Sequence, residues 1–133
     1  MPTHIPEGYA ALTPYLCLED TAGFLIFAEK AFGAEPRALH RDDDGRLVHG
    51  ELTIEGCRLE ISEVAADWKP TGGAFHLFVE DPDATYARAI DAGAESLYPV
   101  TDHAYGERSG GVKDRWGQSW YLAAVTDAEA RGG

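Results

Sequence analysis

The chain is poor in cysteine and in basic side chains, and it has no long apolar run. Its two cysteines, Cys17 and Cys57, lack metal-ligand spacing. In a chain with no visible export signal they read as two buried, small apolar side chains rather than a disulfide. No apolar stretch approaches the ~18 residues needed to cross a membrane. Met1 to Glu7 shows no basic region followed by an apolar one, so cytoplasmic residence is expected. Lys and Arg number 11 against 23 Asp and Glu, a net charge of −12. Such a surface repels phosphate backbones and anionic membranes, which argues against nucleic acid or lipid as partners, and it attracts cationic small molecules. A Ser-His-Asp arrangement, a phosphate loop and a dinucleotide fingerprint are also missing. The cluster Asp42-Asp43-Asp44-Gly45 lacks the twelve-residue calcium pattern and reads as a solvated turn.

What is present is an internal repeat. Leu18-Glu19-Asp20 opens a stretch ending Ala31-Phe32-Gly33-Ala34-Glu35, and Val79-Glu80-Asp81 opens another ending Ala92-Gly93-Ala94-Glu95. The same offset, about 61 residues, carries Gly56-Cys57-Arg58-Leu59-Glu60-Ile61 onto Gly117-Gln118-Ser119-Trp120-Tyr121-Leu122. Two units, each unable to bury its own apolar face, imply a paired architecture whose cleft lies where the halves meet.

The patterning of each half predicts strand, helix and then three strands. An arm over residues 1–10, opposed to regular structure by Pro2 and Pro6, precedes a strand from Ala11 to Leu18. Asp20 or Thr21 caps a helix whose Phe24, Phe27, Ala28 and Ala31 recur at helical spacing, and Gly33 ends it. Strands follow at 37–41, 47–54 and 58–62, the last two joined by a tight Glu55-Gly56 turn. In the second of these, Val48, Leu52 and Ile54 fall on one face and His49, Glu51 and Thr53 on the other. A linker over 64–73 leads to a strand at 74–79 and a helix begun by Asp81-Pro82. Strands at 96–100 and 110–113 flank a loop at 101–109; a last strand spans 119–125 and a frayed tail 126–133.

These elements predict an α+β fold. The sheet face away from the helices would carry Thr13, Tyr15, Cys17, His49, Glu51, Thr53, Arg58, Glu60 and Ser62 from the first half. Ala74, His76, Phe78, Tyr121 and Ala123 would come from the second. Tyr15, Phe78 and Tyr121 would be wasted in open water, so this face is the candidate pocket. Trp120 matches Leu59 across the repeat and reads as core, whereas Trp116 occupies a turn as a pocket rim or dimer contact.

Two βαβββ units of this length resemble the vicinal oxygen chelate superfamily, which contains glyoxalase I, bleomycin-resistance proteins and extradiol dioxygenases. The resemblance covers residues 8–126 and rests on Ile5-Pro6-Glu7-Gly8-Tyr9, Thr13-Pro14-Tyr15-Leu16, Lys30-Ala31-Phe32-Gly33-Ala34, His49-Gly50-Glu51-Leu52, His76-Leu77-Phe78-Val79-Glu80-Asp81, Tyr105-Gly106-Glu107-Arg108-Ser109-Gly110 and Asp114-Arg115-Trp116-Gly117-Gln118-Ser119-Trp120. It implies a curved, cup-like mixed sheet with helices on its convex face. It further implies one domain at 8–126, made of repeat one (8–63), the linker (64–73) and repeat two (74–126), in a bacterial, cytoplasmic homodimer. It also implies a divalent metal held at four positions, which fall on Thr13, Glu60, Ala74 and Tyr121. Only Glu60 is a good ligand, and a catalytic metal needs about three.

The expected function is therefore a small-molecule-binding protein without the family's usual metal site. No cofactor is expected, and the ligand is aromatic or cationic. The pocket residues are Thr13, Tyr15, His49, Glu51, Glu60, His76, Phe78, Arg108 and Tyr121. The alternative is a metal-dependent lyase, isomerase or dioxygenase with a divalent ion on His49, Glu51, Glu60 and His76. Two further readings stay open for the histidines: hydrogen bonds to pocket-wall carboxylates, and general acid–base work. Arg108 either clamps an anionic group or pairs with a local acid. A third function is a dimeric interaction module without a ligand.

Overall fold

The computed structural model describes residues 4–132, so the first three residues of the expected arm and Gly133 of the expected tail lie outside the described residues. Eleven elements follow in order: β1 (Tyr15–Leu18), α1 (Thr21–Phe32), β2 (Glu35–Arg41), β3 (Leu47–Ile54), β4 (Cys57–Glu63), β5 (Ala74–Phe78), α2 (Pro82–Asp91), β6 (Glu95–His103), β7 (Glu107–Lys113), β8 (Ser119–Val125) and α3 (Ala128–Arg131). They form two compact units, one of residues up to Glu29 with Gly33–Thr71, the other of Lys30–Phe32 with the chain from Gly72 onward. Each unit holds a four-stranded mixed sheet of the same topology, β1-β4-β3-β2 in the first and β5-β8-β7-β6 in the second. The pairs β1/β4 and β5/β8 are parallel and the other neighbours antiparallel. The class is α+β, as the patterning predicts.

In the first unit, α1 starts where Asp20 takes the left-handed conformation and its side chain accepts from Gly23 N at 3.0 Å. Glu63, at the end of β4, accepts from the backbone N–H groups of Asp20 and Thr21 and from the Thr21 hydroxyl, each at 2.9 Å. Helix N-termini leave such donors unsatisfied and favour a negative charge there. Burial pushes the Glu63 carboxyl up, but these hydrogen bonds outweigh it and hold it below its ordinary range. Gly33, in the left-handed conformation, ends the helix. Phe24, Phe27, Ala28 and Ala31 form its buried face, as the spacing predicts; each fully buried large side chain is worth about 1.5–3 kcal/mol. β1 is shorter than the expected strand because it begins after Pro14, and Thr13 lies outside the ladder.

β3 departs from simple alternation at one point. A β-bulge between the pairs His40↔His49 and Arg41↔Leu47 leaves Val48 unpaired. Leu47 is buried and Val48 exposed, which corrects the expectation that Val48 faces the core. The face of His49, Glu51 and Thr53 is unaffected, since the bulge lies before them. The Glu55-Gly56 turn has positive φ at both residues, as a two-residue hairpin turn requires. Cys17 is buried but Cys57, at the hairpin end, is exposed, so only one of the two cysteines is a core residue. The segment after β4 folds back on the edge of β1: Thr71 N–H donates to the Cys17 carbonyl and the Thr71 hydroxyl accepts from Cys17 N, both at 3.0 Å.

In the second unit, Asp81 caps α2 and Pro82 occupies its first turn. The helix packs on β6, β7 and β8. Trp120 is buried, its ring centroid 4.6 Å from Phe32 and 4.7 Å from Phe75. The hairpin turn at 114–118 is built around Asp114, which is also buried. Its carboxylate accepts from Trp116 N at 3.0 Å, Gln118 N at 2.9 Å and the Trp120 indole at 2.9 Å. Burial pushes the Asp114 carboxyl up despite these bonds. The expected loop at 101–109 is instead mostly strand, β6 running to His103 and β7 starting at Glu107. The expected frayed tail carries α3, capped by Asp127, whose side chain accepts from Glu129 N and Ala130 N.

Candidate functional site

The register of each sheet fixes which side chains share its site-facing surface. In the first unit Tyr15 lies beside Glu60, Glu60 opposite Glu51, and His49 opposite His40. His49 Nε2 is 3.1 Å from Glu60 Oε1. The Tyr9 hydroxyl donates to Glu51 Oε1. Burial first, and then the hydrogen bond and charge of Glu51, hold the Tyr9 hydroxyl well above its ordinary pKa. Arg58 lies 5.5 Å from the Tyr9 ring centroid and donates to the Thr53 hydroxyl. His40, His49 and Glu51 each offer one donor atom, all within 4.8 Å of one another.

A depression of about 400 Å³ opens on the same unit, lined by Tyr15, Arg46, Val48, Ala65, Ala66, Asp67 and Trp68. The Tyr15 hydroxyl donates to Ser62 Oγ at 2.8 Å, and the Trp68 indole donates to Ser62 Oγ at 3.1 Å and the Tyr15 hydroxyl at 3.3 Å. Their rings meet edge to face, centroids 6.4 Å apart. Buried Ser62 thus fixes two aromatic walls at once.

In the second unit the cross-strand line His76–Tyr121–Gly111–Tyr98 runs over all four strands. Gly111 is required there, because a Cβ on it would meet the Tyr98 ring at 2.5 Å. Ring contacts extend the line into a row: Phe78 stacks on His76, Tyr121 meets His76 edge-on, Tyr98 stacks on Tyr121, and His103 joins Tyr98 to Tyr105. His103 Nε2 is buried without a hydrogen-bond partner. Beneath the row sits Glu107, a fully buried carboxylate. Its Oε1 is 3.0 Å from His76 Nε2, and its Oε2 accepts from Arg131 of α3.

The site residues expected from sequence divide between the units. Tyr15, His49, Glu51 and Glu60 come together in the first, and His76, Phe78 and Tyr121 in the second. The Thr13 hydroxyl donates to the Ala10 carbonyl at 3.2 Å. Arg108 makes a two-pronged pair with Asp83, both contacts at 2.8 Å, and a third with Asp102 at 3.2 Å. These hydrogen bonds hold Asp83 below its ordinary pKa and push Arg108 up. The guanidinium is thus committed to local acids. Cys17, Ser62 and Ala123, assigned to the same surface by alternation, are buried.

Sequence reading missed His40, Val48, Trp68, Glu107 and Arg131. His40 had a visible signal: the Asp42–Gly45 turn sets up a hairpin that pairs it with His49. Glu107 had none, because Ser109-Gly110-Gly111 carries no alternation.

Of the positions to which the resemblance assigns a metal, Thr13 lies outside the β1 ladder and is bonded to Ala10, and Ala74 has no donor and pairs with Ser119. The side chain beside Glu60 is Tyr15 rather than Thr13, and the one beside Tyr121 is His76 rather than Ala74. Glu60 is engaged by His49, and Tyr121 is packed into the aromatic row.

Duplicated strand–helix–three-strand units with a polar and aromatic sheet face define a glyoxalase-like class of protein. Residues 12–122 match the family model of the Glyoxalase/Bleomycin resistance protein/Dioxygenase superfamily, and the chain belongs to that superfamily. It is 34% identical over 123 residues to the uncharacterized protein Rv0887c of Mycobacterium tuberculosis, covering 84% of this chain and 72% of that one. Among solved structures, TioX from Micromonospora sp. ML1 superposes with a TM-score of 0.73 at 20% identity, over 87% of this chain and 98% of that one. The fosfomycin resistance protein FosX of Listeria monocytogenes does so with 0.69 at 22%, over 91% and 97%. Likeness at these identities concerns the fold. Among the described residues no helix is long and apolar enough to cross a membrane.

Proposed function

We infer that the protein binds a small aromatic or cationic molecule and does so without the family's usual metal site. The observation that carries this reading is the aromatic surface: Phe78, His76, Tyr121 and Tyr98 form a row of rings on the second unit, and Tyr15 and Trp68 wall a depression on the first. The first unit offers such a ligand Tyr15 and Trp68, and the second unit offers it His76, Phe78 and Tyr121. His49, Glu51, Glu60 and Thr13 are the polar groups of the first unit, and Arg108 supports the second through Asp83 and Asp102. A net charge of −12 draws cations toward the site. In this reading residues 8–126 act as one domain, and the protein works as a cytoplasmic homodimer without nucleic-acid or membrane partners.

The metal-dependent alternative through His49, Glu51, Glu60 and His76 has less support, because His76 is spent on buried Glu107 and stacked under Phe78.

Calorimetric titration with proflavine, a planar aromatic cation, and with an uncharged analogue tests the reading. Saturable binding weakened about 5- to 30-fold by Trp68→Ala or Tyr121→Ala is expected, the equivalent of ~1–2 kcal/mol per ring. Absence of saturable binding across a panel of such compounds, or binding indifferent to both substitutions, refutes it.

A further inference from the structure

We propose that His40, His49 and Glu51 form a binding site for a divalent transition-metal ion on the β2–β3 ladder, with Glu60 beside it. Three observations meet there. Antiparallel register places His40 directly across from His49, and Glu51 follows two residues along β3 on the same face. The three donor atoms already lie within 4.8 Å of one another. Metal bonds of about 2.0–2.2 Å bring donors to roughly 3–4 Å apart, so small side-chain rotations close the set. Finally, His49 already has the partner that a ligating imidazole normally has: Glu60 sits 3.1 Å from its Nε2 and orients the ring.

The donor chemistry selects the ion. Two imidazoles and one carboxylate suit zinc, cobalt, nickel or copper, whereas calcium and magnesium prefer all-oxygen sites. Glu51 Oε1 takes the Tyr9 hydroxyl, which leaves Oε2 for the ion. His40 is exposed and His49 and Glu51 are half-buried, so coordination positions remain open to water or to a ligand atom. Three protein ligands with an open position is the arrangement of a reactive rather than a structural ion. The register that builds the site belongs wholly to the first unit and needs neither His76 nor the aromatic row.

The test is titration of the whole metal-free protein with Co(II), read by its visible d–d absorption and by calorimetry, with no organic ligand present. About one Co(II) per chain is expected, displaced by Zn(II). His40→Ala and Glu51→Gln should each weaken binding at least tenfold, and Glu60→Gln by ten- to a hundredfold, as loss of an orienting partner does. His40→Cys should restore binding and add a thiolate-to-cobalt band in the near ultraviolet, a readout that a folding defect could not mimic. Tyr121→Ala and His76→Ala should leave the titration unchanged, which separates this site from the proposed aromatic-ligand surface. Failure of the wild-type protein to take up stoichiometric Co(II), binding retained in both His40→Ala and Glu51→Gln, or loss in His76→Ala equal to that in His40→Ala overturns the proposal.

Discussion

Arg131→Ala is expected to destabilise the second unit out of proportion to its place near the end of the described chain. Glu107 is fully buried, and its two oxygens are divided between His76 at 3.0 Å and Arg131. Removing one partner of a fully buried ion pair costs about 3–5 kcal/mol, because the other charge is left uncompensated. The full penalty does not apply here. The Arg131 side chain is 38% exposed and that of His76 39%, so water can reach the vacated side and His76 remains bonded. A loss of about 1–3 kcal/mol is the reasoned range, nearer the value for a hydrogen bond to a charged group. Urea unfolding at neutral pH, followed by tryptophan fluorescence and far-ultraviolet dichroism, measures it. Glu107→Gln removes the charge and keeps the shape, so it should weaken the Arg131 contact without opening a cavity. The double variant should then be less unstable than the sum of the two, with a coupling of about 1–2 kcal/mol. A loss below about 0.3 kcal/mol in Arg131→Ala, or a coupling near zero, would mean that α3 is not anchored through Glu107.

Three further outcomes follow from the packing. Glu63→Gln should lower stability at neutral pH by about 1 kcal/mol and flatten the acid limb of the pH–stability curve. The folded carboxyl lies below its ordinary value of 4.5, so its contribution is complete above that value and is lost as pH falls through the lower, folded one; an unchanged acid limb in thermal melts from pH 6 to 3 would contradict this. Leu47→Ala should cost about 2–5 kcal/mol and Val48→Ala less than about 1, since only the first fills the core; chemical denaturation giving the reverse order would remove the bulge. Asp114→Ala should cost about 1–3 kcal/mol and change the near-ultraviolet dichroism of Trp120, which loses its indole acceptor. The ionised Asp114 is disfavoured by burial, so this residue's own contribution grows as pH falls through its raised value, opposite in sign to Glu63.

Much of the fold was legible because local signals agreed with one another. Asp20, Gly33, Asp81 and Glu55-Gly56 mark helix and turn boundaries by backbone chemistry that acts within a few residues. Alternation also put His76 and Tyr121 on one face, but that they lie side by side required the register of β5 against β8. What stayed hidden depends on register between strands. The approach of His40 to His49 and Glu51 requires knowing that β2 and β3 pair, and where the bulge falls. Glu107 looked like a loop residue because glycines, not alternating apolar side chains, follow it in β7, and the space they leave is filled by Tyr98 and Val100 from β6. α3 is only four residues long and is held by a cap and one ion pair, neither of which a hydrophobic pattern reveals.

The bulge at Val48 has a consequence for how this surface could vary. A strand counts its faces by parity, so one inserted residue ordinarily inverts every side chain beyond it. Val48 absorbs that count: Leu47 before it and Leu52 and Ile54 after it all face the core, while His49 and Glu51 keep their outward phase. Val48 itself, unpaired and exposed, lines the depression beside Tyr15 and Trp68. Substitutions at that single position can reshape the depression while leaving both the core and the donor set in register.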